Sequence, residues 1–326
     1  MSGLRLGVAL PLLLALAVFA PAAGGPAKVR VNWTAVSGTQ TGLWLAHEAG
    51  IFKRNGVDAE LIHVPSSSRA IQAMLAGEIA FSAVDVLNAV EANLKGADVV
   101  LVAAITNRLI FSVVARPEIK RMADLKGKTV GITRLGSSTH TASLIAFGQA
   151  GLKQGEYRIL PLMEVPNILA ALQAGRIDAG IVSPPTNSRA RKAGFSELRN
   201  LAVDGPDYPS VALGSTRAYV NANEDIARRV VRSYVEGVQL FKTNRTAAID
   251  ALRKYTKVTD AEVLDDTYTQ FKDYLEGIPR VSRKGLETIL AGLRDKDPKA
   301  KQAKPDDFLD ERFLTGLEAE GLFRGR

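Results

Sequence analysis

The stretch "LAGEIAFSAV" at positions 75–84 recurs as "QAGRIDAGIV" at positions 173–182. In both copies an Ala-Gly pair ends a helix-like segment, where glycine permits a left-handed cap, and an isoleucine leads into an apolar run. Two further pairs keep the same order along the chain: Ala49-Gly50-Ile51 with Ala150-Gly151-Leu152, and Gly56 with Gly155. The repeat predicts two similar α/β lobes, each built on one sheet.

Around the repeat, short apolar runs alternate with helix-like segments, which is typical of mainly parallel sheets covered by helices on both faces. The predicted strands are 29–36, 57–64, 79–84, 99–105, 129–133, 157–162, 179–182 and 198–203. The predicted helices between them include 42–54, 68–76, 139–150 and 166–174. After position 220 the pattern is helical to the end, with a capping box predicted at 259–262.

Extended runs at 107–119 and 208–220 predict two crossings between the lobes. The first lobe then comprises residues 24–116 and 210–326, and the second lobe comprises residues 117–209. Two crossings form a hinge, and ligands of hinged two-lobed proteins bind in the cleft between the lobes.

The N-terminal segment has the features of a secretory signal. Arg5 precedes a 14-residue apolar run, and an Ala-x-Ala site predicts cleavage near Ala22 or Ala23. The alternative is a retained membrane anchor, although a span needs about 20 residues. The chain has no cysteine, hence no disulfide and no thiol for a lipid anchor. We therefore expect a free protein in the periplasm, with residues 1–23 removed.

The net charge and its distribution limit the kinds of partner that the protein could bind. The whole chain carries +8, and removing residues 1–23 takes away one arginine and no acid, which leaves +7. This excess is spread along the sequence and lacks the dense basic stripe of a nucleic-acid binder. It favours attraction of small anions, and we expect a monomer without nucleic-acid partners.

The stretch "LKGKTVGITRLGSSTH" at 125–140 contains two anion-loop candidates. Gly127-Lys128-Thr129 is not a phosphate loop, because Met122 stands where the first glycine is required and a strand follows instead of a helix. "GSSTH" lies between a strand and a helix, where exposed N–H groups and the positive end of the helix dipole suit an anion. The alternative is that Ser137 or Ser138 only caps the helix.

Similar polar strand ends occur in both halves of the chain. Because open α/β sheets bind ligands beyond the carboxyl ends of their strands, these segments predict one polar cleft. Asp85 could select a cationic or hydroxylated ligand, or cap the helix that follows it. The candidate ligand-binding residues are Ser37, Gly38, Thr39, Gln40, Ser67, Asp85, Gly136, Ser137, Ser138, Thr139 and Ser183.

No catalytic set emerges from the sequence. The three histidines, His47, His63 and His140, lack metal-ligand spacing, and there is neither a G-x-S-x-G elbow nor a thiol. His140, Arg108 and Arg134 could contact a ligand or lie on the surface. Core packing is the default expectation for Trp33 and Trp44. We expect no enzymatic activity, no metal and no cofactor.

The chain resembles the periplasmic substrate-binding proteins of ABC importers for nitrate, sulfonates and taurine, with their thiamine-precursor-type relatives. The resemblance covers roughly residues 28–250 and is carried by "GLWLAHEAGIFKRNGVDAELIHV", "AIQAMLAGEIAFSAVD", "DLKGKTVGITRLGSSTH" and "ILAALQAGRIDAGIVSPP". It implies a type II-like, two-lobed binding fold that closes at a hinge. It also implies ligand contacts from 37–41, 66–68, 84–85, 136–139 and Ser183. Some thiamine-precursor relatives consume a histidine and carry a cysteine-rich motif, which this chain lacks.

The resemblance implies a solute receptor that delivers a small organic anion, a sulfonate or carboxylate, to an ABC permease with a cytoplasmic ATPase. Two alternatives stay open at this point. The protein could present its ligand to a membrane sensor, or it could bind a neutral or cationic pyrimidine-like precursor. An exported enzyme is a further reading, for which the sequence offers no acid–base or nucleophilic set.

Overall fold

The computed structural model describes residues 27–323 and contains two five-stranded sheets. The predicted signal segment, residues 1–23, lies outside the described residues. The strands are β1 (Ala27–Trp33), β2 (Val57–His63), β3 (Phe81–Asp85), β4 (Val99–Thr106), β5 (Ser112–Ala115), β6 (Thr129–Ile132), β7 (Arg158–Pro161), β8 (Ala179–Val182), β9 (Ser196–Asn200) and β10 (Val211–Thr216).

Helices cover the sheets and form the C-terminal region. They are α1 (Thr41–Glu48), α2 (Ile51–Arg54), α3 (Ser67–Leu75), α4 (Val86–Leu94), α5 (Ser138–Gln149), α6 (Val165–Gln173), α7 (Thr186–Lys192), α8 (Leu201–Asp204), α9 (Arg217–Ala222), α10 (Glu224–Thr243), α11 (Arg245–Thr256), α12 (Ala261–Tyr274), α13 (Arg283–Leu293) and α14 (Arg312–Ala319). Short 3₁₀ turns occupy Gly38–Gln40, Met122–Leu125, Pro298–Lys301 and Pro305–Phe308. Within residues 27–323, none of these helices combines the length and apolar character that crossing a membrane requires.

The two sheets share one topology. The first has the order β2-β1-β3-β10-β4 and the second has the order β7-β6-β8-β5-β9. In each sheet the fourth strand, β10 or β5, pairs antiparallel with both neighbours, so the other four strands run in one direction. The predicted class, two mainly parallel sheets flanked by helices, is confirmed.

The internal repeat that predicted this duplication occupies matching positions in the two sheets. The first copy spans the end of α3 and the start of β3, and the second copy spans the end of α6 and the start of β8. Gly77 and Gly175 follow the two helices with φ of +76° and +69°, the left-handed conformation expected of a glycine cap. Ile79 and Ile177 then enter the core with 4% and 1% exposure.

The chain passes between the sheets at the two predicted places. It leaves the first sheet after β4 and returns to it at β10. The predicted lobe boundary at 116/117 falls after β5, although β5 lies in the second sheet between β8 and β9. We propose lobe boundaries between 106 and 112 and between 204 and 211, which would assign β5 to the second lobe.

The C-terminal helices pack mainly on the first sheet. The largest fully buried side chains include Trp44 on α1 and Tyr234 and Phe241 on α10, all of which belong to one apolar core with β1, β3 and β4. The Tyr234 hydroxyl donates a hydrogen bond to the carbonyl oxygen of Ala104 at 3.1 Å, which ties α10 to β4. This packing fixes α1, whose N-terminus faces the site described next.

Candidate functional site

A cavity of about 70 Å³ lies where the loops of the two sheets meet. It is large enough for a few water molecules or one small ligand, since a single water needs about 10–15 Å³ by the same measure. Strand-end loops of both sheets form its walls. The lining residues are Thr34, Ala35, Val36, Ser37, Thr39, Gln40, Ser66, Ser67, Ile110, Phe111, Thr133, Ser137, Ser138, Thr139, Met163, Glu164, Val165, Ser183 and Val211.

Eight of the eleven predicted site residues line this cavity: Ser37, Thr39, Gln40, Ser67, Ser137, Ser138, Thr139 and Ser183. The other three, Gly38, Asp85 and Gly136, do not line the cavity. Gly38 and Gly136 are next in sequence to lining residues, and Asp85 immediately precedes α4. The structure thus brings the polar strand ends together, while their contact with a ligand stays a prediction.

The loop after β1 touches the second sheet directly. The Ser183 hydroxyl donates to Ser37 Oγ at 3.2 Å, and the Ser37 hydroxyl donates to the carbonyl oxygen of Pro184 at 3.4 Å. The N–H of Gly38 also donates to that carbonyl at 3.4 Å. A Cβ at Gly38 would overlap the ring of Phe271 on α12, so only glycine lets the loop pack this closely against that ring.

The polar groups of Thr39 and Gln40 are used within their own loop. Gln40 Nε2 donates to Thr39 Oγ1 at 2.8 Å, and Gln40 Oε1 accepts from the N–H of Thr34 at 3.3 Å. Both side chains are almost fully buried. These bonds hold the loop in one conformation, which is the preorganisation that a binding site requires.

The N-terminus of α5 forms the opposite wall. Ser137 caps the helix by accepting from the N–H of His140 at 3.4 Å. Its hydroxyl, Thr133 Oγ1 and Thr139 Oγ1 lie within 2.8–2.9 Å of one another. The backbone N–H groups of Ser138 and Thr139 donate to no residue in the described part of the chain. Two free donors therefore stand at the positive end of a 12-residue helix beside the cavity.

Gly136 and Asp85 lie next to the cavity and form hydrogen bonds within the protein. The carbonyl oxygen of Gly136 accepts from Asn88 Nδ2 at 2.5 Å, which joins the loop before α5 to α4. Asp85 caps α4, since its Oδ1 accepts from the N–H of Asn88 at 3.0 Å. Its own N–H donates to Ser67 Oγ at 2.8 Å. Of the two roles that the sequence left open for Asp85, the structure shows the capping role.

Asp85 is nevertheless an unusual carboxyl, with 1% exposure. Burial raises its pKa to about 6, and the nearby Ser138 hydroxyl and the Asn88 N–H, which favour the carboxylate, offset only part of that rise. Asp85 lies on the first sheet and Ser138 on α5 of the second. The carboxyl is thus buried beside the junction of the two sheets.

The lining residues that the sequence analysis did not name include Met163 and Glu164, whereas Ser66 falls within the predicted contact loop 66–68. Ser66 and Met163 adopt φ of +81° and +73°, which costs a non-glycine residue about 1–3 kcal/mol and is common at ligand-binding loops. They precede the corresponding helices α3 and α6. The repeat was the signal that could have found 163–164, since the matching loop at 66–68 was identified.

The remaining candidates lie outside the cavity lining. Arg108 is exposed, Arg134 is partly buried, and His140 borders a second cavity. The tryptophans pack in an aromatic cluster, with the Trp33 ring 5.4 Å from Trp44 and stacked 3.7 Å from His63. No group of three or more potential metal ligands occurs between residues 27 and 323.

This two-sheet arrangement around an interposed cavity agrees with the comparison to protein families. A family model described as "NMT1/THI5 like" matches residues 38–248, which is more than half of the chain. The chain belongs to the NMT1/THI5-like family. The matched segment includes every predicted site residue except Ser37, which adjoins it.

Two sequence relatives of this family member cover more than two thirds of both chains. A protein of Brucella abortus, provisionally named a binding protein, is 26% identical over 259 residues, which are 77% of this chain and 79% of that protein. The formylaminopyrimidine-binding protein of Halalkalibacterium halodurans is 25% identical over 236 residues, 69% of each chain.

Solved structures share the fold at lower identity. A Bordetella bronchiseptica protein superposes with a TM-score of 0.80 at 21% identity, covering 91% of this chain and 98% of that one. The alkanesulfonate-binding protein of Xanthomonas axonopodis pv. citri, bound to MOPS, gives 0.73 at 20%, covering 89% and 100%. The periplasmic nitrate-binding protein of Synechocystis gives 0.73 at 13%, covering 92% and 90%. The periplasmic-binding-protein fold predicted from the sequence is confirmed.

Proposed function

We propose that this protein is the periplasmic solute-binding component of an ABC importer. In this proposal it is exported, loses residues 1–23 near Ala22 or Ala23, and acts as a free monomer. It captures a small organic anion, a sulfonate or carboxylate, by closing its two sheets around the ligand. It then delivers the ligand to a membrane permease that is driven by a cytoplasmic ATPase.

The observation that carries the proposal is the cavity between the two sheets. Its walls come from strand-end loops of both, so closing the hinge would enclose a ligand and opening it would release one. The hydroxyls that line it are mostly buried and hydrogen-bonded to each other, which keeps the site ordered before a ligand arrives.

The free N–H groups of Ser138 and Thr139 favour an anionic head group. The position and the charge of these groups suit this role, because unpaired N–H groups at a helix N-terminus carry partial positive charge. A sulfonate or carboxylate oxygen could accept from both. The small volume, about 70 Å³, favours a short ligand.

The lining residues support binding rather than catalysis. Glu164 is the one ionisable side chain among them, and it has no histidine, lysine or second carboxyl beside it within the lining. The lining therefore has no nucleophile paired with a base, and no pair of carboxyls for acid–base work. We propose no enzymatic step and no cofactor.

A second candidate function rests on that same Glu164. A carboxylate at the cavity opposes an anion and favours a neutral or cationic ligand that donates hydrogen bonds. The formylaminopyrimidine-binding relative has a ligand of the pyrimidine class by its name. A pyrimidine-like precursor is thus the alternative ligand for the same cavity.

A thermal-shift panel separates the two candidates. The protein without residues 1–23 is heated with alkanesulfonates, carboxylates, nitrate, pyrimidines and polyamines. A ligand at about 100 times its Kd adds about 2.7 kcal/mol of stability, which raises Tm by a few degrees for a chain of this size. A shift with sulfonates or carboxylates supports the anion proposal. A shift with pyrimidines or polyamines alone refutes it and supports the alternative.

A further inference from the structure

A second cavity, of about 430 Å³, lies on the other side of the loop that precedes α5. Its walls are α4, α5, α13 and the segment that leads into β10. The volume falls within the range of about 300–1,000 Å³ that is usual for small-molecule sites. Nothing in the proposed solute-binding function uses this cavity.

One part of the wall is apolar. Leu87 on α4, Leu144 on α5 and Ile289 and Leu293 on α13 line it together. Leu87 and Leu144 are only partly buried, so their side chains have apolar surface left to cover. Covering apolar surface contributes about 25 cal/mol for each Å², so a ligand with an aliphatic or aromatic body would gain affinity here.

Two opposite charges stand unpaired on the same cavity. Glu91 on α4 and Lys296 after α13 both line it, and neither forms an ion pair with any residue between 27 and 323. Most other charged side chains around the C-terminal helices are paired, as Arg283 is with Glu311 at 2.9 Å. One free carboxylate and one free ammonium offer complementary partners to a ligand that carries both charges.

Two polar side chains, Asn88 and His140, line the same cavity as Glu91 and Lys296. Asn88 is 8% exposed, its Nδ2 donates to Gly136, and its buried Oδ1 has no hydrogen-bond donor in the described chain. A buried acceptor without a donor is unfavourable, and a ligand donor that reached Asn88 Oδ1 would relieve that cost. His140 Nδ1 accepts from the N–H of Gly136 at 3.1 Å, so its Nε2 carries the proton and can donate.

We propose that this cavity binds a zwitterionic amphiphile, of which an amino acid with an apolar side chain is the smallest example. Its ammonium group pairs with Glu91 at the α4 wall, near the unmet acceptor of Asn88. Its carboxylate pairs with Lys296 and accepts from His140 Nε2. Its apolar side chain covers Leu87, Leu144 and Ile289.

The second cavity is lined by elements that belong to both sheets. α4 follows β3 of the first sheet and α5 follows β6 of the second, and both line the cavity. The loop before α5 borders both cavities, since Gly136 lines the second and Ser137 lines the first. A ligand in the second cavity would therefore contact elements of both sheets.

The test is calorimetric titration of the protein without residues 1–23 with L-leucine and L-phenylalanine. Leucinamide, which lacks the carboxylate, and N-acetyl-leucine, which lacks the ammonium, are the matched ligands. We expect both analogues to bind about tenfold or more weakly, because each loses a charge-assisted hydrogen bond. Glu91→Gln and Lys296→Met should each reduce leucine affinity by a similar factor.

Gly292→Met is designed to place a long side chain in the cavity while leaving the fold intact. Gly292 lines it on α13, and a Cβ there would meet no atom within 4 Å. Gly316→Met on α14 is the control, since a Cβ there also meets nothing within 4 Å and the residue lines neither cavity. Leucine binding should be lost in the first variant and retained in the second.

Three results would overturn the proposal: no heat with either amino acid, equal affinity for leucine and its two analogues, or leucine binding that survives Gly292→Met. Binding that is lost instead in Ser137→Ala with Ser138→Ala, and retained in Gly292→Met, would assign leucine to the first cavity. The thermal-shift panel tests sulfonates and simple carboxylates at the first cavity without any amino acid, so this proposal and the proposed function can fail separately.

Discussion

Asp85 caps a helix, and its burial raises the pKa of its carboxyl. Its carboxyl caps α4 at the end of β3, where the N–H of Asn88 needs an acceptor. The same position buries it completely, and burial raises its pKa to about 6 from an unfolded value of 3.8. The folded protein thus holds the Asp85 proton more tightly than the unfolded chain does.

The sign of the resulting pH dependence is opposite to that of an ordinary paired aspartate. Below about pH 4 the group is protonated in both states and costs nothing, whereas above about pH 6 the folded state carries a buried carboxylate. We predict that Asp85→Asn gains stability relative to the native protein as the pH rises from about 4 to about 6, on the order of 3 kcal/mol in total. Urea unfolding at several pH values measures this difference.

The exposed cap Asp260 provides the control for this prediction. Lys192 lowers its pKa by a hydrogen bond, so the folded state favours its carboxylate. Asp260→Asn should therefore lose stability relative to the native protein as the pH rises through the acid range. If the two variants changed in the same direction, burial would not be the cause of the Asp85 shift.

Ser137 and Ser138 carry the residue-scale prediction for binding. In the Ser137→Ala, Ser138→Ala double variant, we expect affinity for the sulfonate or carboxylate ligand to fall by about 1–3 kcal/mol, because two hydroxyls leave the helix end. Calorimetric titration measures the change.

Ser282→Ala is the matched control for the loss of a helix cap. Ser282 caps α13 by accepting from the N–H of Gly285 at 3.0 Å and lies outside the cavity lining. Losing either cap costs about 1 kcal/mol of folding stability. Only the double variant should also lose affinity, and an unchanged affinity there would remove the helix end from the binding model.

Eight of the nineteen lining residues were predicted from the sequence as site residues, because short hydroxyl side chains follow the strands that the fold brings together. The sequence did not single out Glu164 or Met163, because no local pattern marks a loop with φ of +73° at Met163 and only the repeat pointed to that loop. Nor could it exclude Asp85, since whether a strand-end side chain faces the cavity or the next helix depends on packing in three dimensions.

At the scale of elements, the contact between α1 and α10 is set by two glycines. A Cβ at Gly237 on α10 would overlap the carbonyl oxygen of Gly42 on α1, so the two helices approach to backbone contact. We predict that Gly237→Ala destabilises the protein by about 1–3 kcal/mol or more, because backbone cannot move aside as a side chain can. Thermal or urea unfolding measures the loss.

Gly148→Ala on α5 is the matched helical substitution. A Cβ at Gly148 would meet no atom within 4 Å, and alanine has the higher helix propensity by about 1 kcal/mol. This variant should be as stable as the native protein or slightly more stable. Equal losses in both variants would show that close packing at Gly237 is not the cause.

Element boundaries were predicted less well than element types. The predicted helix 42–54 is two helices, since Gly50 adopts φ of +64° between Glu48 and Ile51. The predicted strand 198–203 is wrong in its second half, because Asn200 accepts from the N–H of Ala202 and caps the short helix α8. The predicted capping box at 259–262 is also wrong, since Asp260 caps α12 by itself.

At the scale of the whole molecule, the described arrangement brings the two sheets into direct contact. Ser183 donates to Ser37 at 3.2 Å, and Asn88 donates to the carbonyl oxygen of Gly136 at 2.5 Å. The repeat predicted two sheets, and the extended runs at 107–119 and 208–220 predicted two crossings, because both features follow from chain order. The contacts between the sheets depend on the hinge angle, and no local sequence pattern encodes that angle.

If the two sheets close on the ligand, the distance between them changes when the ligand binds. The chain has no cysteine, so introduced cysteines can be labelled selectively. Gln72 on α3 and Ala170 on α6 are exposed, and both helices begin at the cavity, one from each sheet. Spin labels on Gln72→Cys and Ala170→Cys would report the distance across the cleft by double electron–electron resonance.

The measurement is made without ligand and with the sulfonate or carboxylate that gives the largest thermal shift. We predict a broader distance distribution without ligand, and a shorter, narrower one with saturating ligand. A distribution that stays unchanged at saturation would contradict capture by closure between the sheets.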